Sequence, residues 1–294
     1  MIWGLWLAVL IASFQLFIWM MNRRKVTQYI YEDSPERHQQ KVGTPTLGGI
    51  LMFLGFLTGM FILNQWTLTT IWVVASTGLF WLIGAVDDVL SLMRAKNKGL
   101  SARAKLLLQL AVALLSVIGF YFIQTISWWH IPLYVFLLTG SANATNLTDG
   151  LDGLLSSAML VSLFGVLVLV QSQWRFEEAS MIMVMMAVIA VFLIFNWNPA
   201  RLFMGDVGSL MLGAFLSSCV IVTGHWIMLL GFGAVYVIET LSVIIQVVWF
   251  KQYKKRIFLM TPLHHHFELL GLKEIPIVLL FILMQAIFVW VQLT

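Results

Sequence analysis

Charge is what this 294-residue sequence lacks most. Only 10% of its residues are Asp, Glu, Lys or Arg, while 61% are hydrophobic. A soluble domain carries roughly 25% charged residues and about 45–50% apolar ones, so a soluble enzyme or a separate soluble domain is excluded. The chain is expected to be one integral membrane unit spanning 1–294. A single cysteine, Cys219, rules out a disulfide framework or a cysteine metal cluster. The net charge of +4 does not indicate a nucleic-acid partner, because the basic residues flank apolar runs and form no basic domain. Residues 2–21 are too long for the core of a signal peptide and lack a small-residue cleavage site, so they are expected to remain as a span.

Long hydrophobic runs are what is there. Stretches near the ~20 residues needed to cross a bilayer fall at about 2–21, 46–64, 69–86, 104–123, 128–145, 154–172, 180–197, 207–223, 226–249 and 275–293. They predict an all-α, polytopic membrane protein with about ten transmembrane helices. The loops alternate in charge. Sixteen of the seventeen Lys and Arg residues fall on one side, and only Arg175 falls on the other. The positive-inside rule makes the rich side cytoplasmic and places both termini outside.

Polar motifs obey the same partition, and five of the six aspartates belong to them. Residues 143–154 (NATNLTDGLDGL) carry Asn143, Asn146, Asp149 and Asp152 between two apolar runs. Such a cluster inside a hydrocarbon-rich chain needs water, a cation or a polar ligand, although Asn, Asp and Gly also suit a plain connecting turn. Asp87 and Asp88 end the third run. Adjacent carboxylates near a low-dielectric boundary repel and favour a metal, a base or a shared proton; an ordinary polar helix end is the alternative. Asp206, in MGDVGS, could ligate a hard cation such as Mg²⁺ or cap a helix. Lys41 and Thr46, in KVGTPTLGG, pair a cation and hydroxyls with a helix start suited to phosphate. His264, His265 and His266 follow Pro262. Consecutive side chains diverge, so hydrogen bonds to phosphate or sugar suit them better than one shared metal ion. Phe203 could stack on a base or simply pack. Together these parts suggest phosphoryl transfer from a soluble anionic donor, with a lipid acceptor entering from the bilayer.

In order, GTPTLGG, the Asp87–Asp88 pair, NATNLTDGLDGL, ARLFMGDVGSL, ETLSVIIQ and MTPLHHHFE resemble the polyprenyl-phosphate N-acetylhexosamine-1-phosphate transferases. The resemblance covers nearly the whole chain from about residue 32. PLHHHFE is its most specific part. It implies UDP-N-acetylmuramoyl-pentapeptide as donor, undecaprenyl phosphate as acceptor, UMP as product, Mg²⁺ as cofactor, a homodimer and a bacterial inner-membrane location. It further implies Asp206 as the Mg²⁺ ligand, and Asp87 and Asp88 serving the lipid phosphate and the chemical step. Lys41, Thr46, Asn146, Asp149, Asp152 and Phe203 would form the nucleotide pocket, with Phe203 on uracil, and Asn143 would also bind substrate. Gln246 and the three histidines would line the donor site. The chain departs from the family at Ser91, where a lysine often stands; Arg94 or Lys96 is expected to compensate. Two readings compete: a UDP-N-acetylglucosamine transferase on the same scaffold, and a transporter, whose polar site would lie near the bilayer midplane.

Overall fold

The computed structural model describes residues 1–24, 43–94 and 99–294; Lys41 and Lys96 lie outside them. Among the described residues there are ten long helices and no strand. They are α1 (Ile2–Arg24), α2 (Gly48–Leu63), α3 (Leu68–Met93), α4 (Ala102–Ile123), α5 (His130–Thr148), α6 (Leu154–Ser172), α7 (Phe176–Asn196), α8 (Gly205–Val222), α10 (Ala234–Tyr253) and α12 (Glu274–Leu293). Two short helices, α9 (Leu229–Phe232) and α11 (Leu263–Leu269), interrupt the series. Eight of the long helices have the length and apolar character to cross a membrane. The other two are α2, with 16 residues, and α5, the least apolar of the ten.

The bundle is built around α8, in which every residue from Val207 to Val222 is buried. Helices α3 and α5 pack on it most extensively, and α2 also lies against it. A helix apolar on all sides has no preferred face, so neighbours can surround it. Three glycines permit the closest approaches to this helix: a Cβ at Gly84 of α3 would overlap the Asp206–Val207 backbone, one at Gly49 of α2 would overlap Gly208, and one at Gly213 of α8 would overlap the Ser141–Ala142 backbone of α5. Small residues let helix backbones meet in this way where both helices face hydrocarbon.

Three boundaries differ from the sequence expectation. Helix α5 runs on to Thr148, so Asn143 and Asn146 sit on a helix and only residues 149–153 form the turn. Helix α3 continues to Met93, which places Asp87 and Asp88 within it rather than at its end. The apolar run 226–249 breaks at Gly233, and α10 begins at Ala234. At that break Gln285, fully buried on α12, accepts from Val235 N (3.1 Å) and donates to the carbonyls of Gly231 (3.2 Å) and Phe232 (2.8 Å). A buried side chain thus satisfies backbone groups that a broken helix leaves open.

Gly84→Val is expected to push α3 off α8 and cost about 1–3 kcal/mol of stability. Thermal unfolding of the detergent-solubilised protein reads this as a lowered midpoint.

Candidate active site

Side chains from four helices meet at one end of the bundle. Lys105, near the start of α4, donates from Nζ to Asp87 Oδ2 of α3 (3.2 Å) and to Asp206 Oδ2 of α8. Asp206 Oδ1 accepts from Asn146 Nδ2 of α5 (2.7 Å), and the same amide reaches Ser209 Oγ (2.9 Å). Asp87 Oδ1 accepts from Leu100 N (2.5 Å), which ties the end of the α3–α4 connection to the cluster. One ammonium therefore lies between two carboxylates that would otherwise repel at the rim of an apolar bundle.

Asp88 faces α8 differently. Its Oδ2 accepts from Val207 N (3.0 Å), in the first turn of that helix. Helix starts carry unsatisfied N–H groups and partial positive charge, so Asp88 caps α8 from a neighbouring helix. Asp206 stands in the first turn of α8, and its carboxylate oxygens face Lys105 and Asn146. Thr46 is buried beside this point, its Oγ1 3.2 Å from where a Cβ on Gly205 would stand. The Thr46 segment is held by backbone hydrogen bonds: Phe203 N donates to Pro45 O (2.9 Å), Gly48 N to Phe203 O (2.9 Å) and Gly49 N to Met204 O (3.0 Å). Phe203, partly exposed, thus sits next to both the glycine-rich turn and Asp206.

A second wall begins where α5 ends. Asp149 is the C-cap of α5, three residues beyond Asn146. Gly150 lies against the ring of His264: a Cβ there would overlap Nε2, which is buried and has no hydrogen-bond partner. His264 is placed by Glu239, a fully buried residue of α10. Glu239 accepts from Leu263 N (2.6 Å) and His264 N (3.3 Å), and its Oε1 lies 3.2 Å from His264 Nδ1. It caps α11 just as Asp88 caps α8. His265 Nδ1 lies 2.7 Å from Glu268 Oε2, and His266 Nδ1 accepts from Leu259 N (3.1 Å). The three histidines point to three different partners, as their adjacency in sequence requires.

Three candidate residues have other hydrogen-bond duties. Asn143 donates to Gln109 Oε1 and Thr139 O, both at 2.8 Å, joining α5 to α4. Gln246 holds the segment after α10, donating to Phe258 O (2.9 Å) and accepting from Ile257 N and Phe258 N. Asp152 Oδ2 accepts from Ala200 N (2.9 Å) and Asn198 Nδ2 (3.2 Å).

Among the described residues no three His, Cys, Asp or Glu side chains are arranged to hold a metal ion by themselves. What the cluster offers is a pair, because oxygens of Asp87 and Asp206 already converge on one cationic group. Mg²⁺ usually takes one or two carboxylates and fills its other positions with water and substrate phosphates. The donor set fits that ion in kind and number.

The sequence signature of glycosyl transferase family 4 matches residues 69–224, a stretch that holds Asp87, Asp88, Lys105, Asn146, Asp149, Phe203 and Asp206. The chain belongs to that family. It is 39% identical over 288 residues to a phospho-N-acetylmuramoyl-pentapeptide-transferase of Geobacillus sp. strain WCH70, covering 90% of this chain and 88% of the relative. The protein of the same name in Geobacillus thermodenitrificans is 38% identical, with the same coverage of both chains. The one in Bacillus licheniformis is 36% identical, over 95% of this chain and 91% of the relative.

Two residues of this family 4 protein that contact the candidate site residues, Lys105 and Glu239, are not among the candidates that the sequence motifs name. Lys105 meets both Asp87 and Asp206, and Arg94 donates to Gly99 O (2.9 Å) beside the same turn. The available signal was depth: Lys105 opens an apolar run, and a charge inside a span is expensive unless paired.

Replacing Glu239 with Ala is expected to orphan two amides of α11 and lower stability by about 1–3 kcal/mol. Glu239→Gln, which keeps one acceptor oxygen, should lose less. Thermal midpoints of the two variants decide.

Proposed function

We infer that this protein transfers phospho-N-acetylmuramoyl-pentapeptide from its UDP-linked donor to undecaprenyl phosphate, releasing UMP, the first membrane step of peptidoglycan synthesis. The observation that carries this reading is the meeting of Asp87, Asp206, Lys105 and Asn146 at one end of an apolar bundle. The names of the relatives, aligned over most of the chain, support the donor and do not favour the N-acetylglucosamine alternative. The transporter reading has less support, since the carboxylates crowd one end instead of the middle of the helices.

In this reaction an oxygen of the lipid phosphate attacks the donor phosphorus attached to the sugar. The bond from that phosphorus to the bridging oxygen breaks, and UMP leaves with the electron pair. A phosphate monoester has its second pKa at about 6, so the attacking group is largely dianionic at neutral pH and needs positioning and charge screening more than a strong base. Lys105 supplies fixed positive charge between Asp87 and Asp206. Asn146 orients Asp206, and Asp88 holds the start of α8 so that Asp206 keeps its place. Asp206, with Asp87 beside it, would hold Mg²⁺, which when bound supplies further screening of the phosphates. Lys41, Thr46 and Asp149 serve the nucleotide, with Phe203 against the uracil, and the histidine wall serves the sugar phosphate. We place the site end of the bundle in the cytoplasm and both termini outside, in a bacterial cell membrane with about ten spans, because Lys and Arg concentrate at that end. By the family resemblance, the working unit is a homodimer.

The test is UMP release by the purified protein supplied with the UDP-muramoyl-pentapeptide, a polyprenyl phosphate and Mg²⁺. Turnover is expected, with loss on chelation and a fall of at least about 10²-fold in Asp206→Ala. Full activity of that variant, or preference for UDP-N-acetylglucosamine, would overturn the assignment.

A further inference from the structure

One buried amide stands behind the carboxylate cluster without belonging to it. Gln109, one turn beyond Lys105 on α4, is fully buried, and its Oε1 accepts from Asn143 Nδ2 of α5 (2.8 Å). The same nitrogen donates to Thr139 O (2.8 Å). A backbone carbonyl only accepts, so it fixes the nitrogen of Asn143, and Gln109 must present its oxygen there. Its own Nε2 then lies in the interior with no hydrogen-bond partner, as does Thr139 Oγ1. A buried donor without a partner costs stability. Stability is therefore a poor reason for a long amide at this point. What Gln109 does supply is a link between two helices.

Helix α4 needs that link. Helix α5 is locked on α8 by the close approach at Gly213 and by Thr145 Oγ1, which donates to Ser209 O (2.8 Å); α3 is locked on α8 at Gly84. Helix α4 shares neither lock. Its buried residues are Gln109, Ala113, Ser116, Val117 and Phe120, so Gln109 is the one nearest the cluster. Trp72 Nε1 of α3 donates to Ser116 O (2.7 Å), in the half of α4 remote from the cluster. At the near end, Lys105 and Leu100 N both hang on carboxylates of the cluster. Those carboxylates are the groups that would hold Mg²⁺, and a divalent cation competes with an ammonium for the same oxygens. The Gln109–Asn143 bond does not depend on them. Gln109 is four positions from Lys105, and Asn143 three from Asn146, so each pair shares a helix face. The bond thus sets α4 against α5 one turn away from the meeting of Lys105, Asp206 and Asn146.

We propose that Gln109 is a positioning residue: through Asn143 it holds the start of α4 in register with α5, and so keeps the Lys105 ammonium aimed between Asp87 and Asp206. Its effect on turnover rests on the transferase reading above, while the link from Gln109 to Lys105 stands on geometry alone.

Gln109→Met, which keeps length and volume but offers no acceptor oxygen, tests this in the full-length protein. The kcat is expected to fall between about 10- and 100-fold, the scale of a small misplacement at a reacting centre. The KM values for the UDP-muramoyl-pentapeptide and polyprenyl phosphate should stay within about twofold, the pattern of an interaction made in the transition state. The thermal midpoint should hold or rise, since the change removes an unpartnered Nε2 and leaves Asn143 its bond to Thr139 O. In a Lys105→Met background, Gln109→Met should alter kcat by less than about twofold, because both changes act on one group. A lowered midpoint with kcat retained would make Gln109 merely structural and overturn the proposal, as would an equal loss of kcat with and without Lys105. Gln109→Leu is the second variant; if neither accumulates as folded protein, Gln109 serves stability and the proposal fails. A parent protein that shows no turnover would count against the transferase reading alone. Acylation of lysines by an amine-reactive ester, read by mass spectrometry, then still decides the link. Lys105 is sheltered between two carboxylates, and Lys251 is exposed. Relative to Lys251, Lys105 should react several-fold faster in Gln109→Met than in the parent, and equal labelling would refute the link.

Discussion

Two carboxylates from different helices, brought together where the surroundings are mostly hydrocarbon, need a positive charge between them. Lys105 provides it, and the arrangement of the site end follows. Asp87 and Asp206 can approach because one ammonium serves both, and Asn146 takes the remaining oxygen of Asp206. For the proposed phosphoryl transfer, the same charge balance that makes this cluster tolerable lets it receive an anionic donor. A cluster of carboxylates alone would repel that ligand.

A related device recurs around the cluster: acidic side chains hold backbone amides of elements to which they do not belong. Asp88 caps α8, Glu239 caps α11, Asp87 takes Leu100 N, and Asp152 takes Ala200 N. Each bond satisfies a donor at a helix start or turn, where no internal partner exists. Each also fixes one chain segment on another, so the few acidic residues of this chain organise its polar end. The buried column of α8 then carries that arrangement into the bundle, with Gly84 and Gly49 setting how near α3 and α2 can come.

Much of this was legible in the residues. Long apolar runs gave the helical class, and the motifs named most of the groups that meet. The division of Asp87 from Asp88 was not legible: adjacent on one helix, they face a lysine and a helix start respectively, and that depends on which neighbours α3 packs against. Lys105 was hidden because a lysine at the start of an apolar run also fits a loop charge. Glu239 gave the opposite signal, a charge within a span, but its partner lies 24 residues on, in a short helix whose position follows only from the fold. The Asn143–Thr148 segment was read as part of a polar stretch between spans because its composition suits turns; packing against α8, with Thr145 Oγ1 donating to Ser209 O (2.8 Å), keeps it helical. Asp152 shared its motif with Asp149, yet Asp149 is the C-cap of α5 while Asp152 takes Ala200 N and Asn198 Nδ2 from another connection.

The pairing of Lys105 with Asp206 is tested most directly by a double-mutant cycle on unfolding in detergent, without substrate or metal, using Lys105→Met, Asp206→Asn and the two combined. The account expects each single change to lower stability and the combination to be clearly less than additive, with a coupling of about 1–3 kcal/mol. Losses that simply add would mean the two side chains do not share one site, and would contradict it.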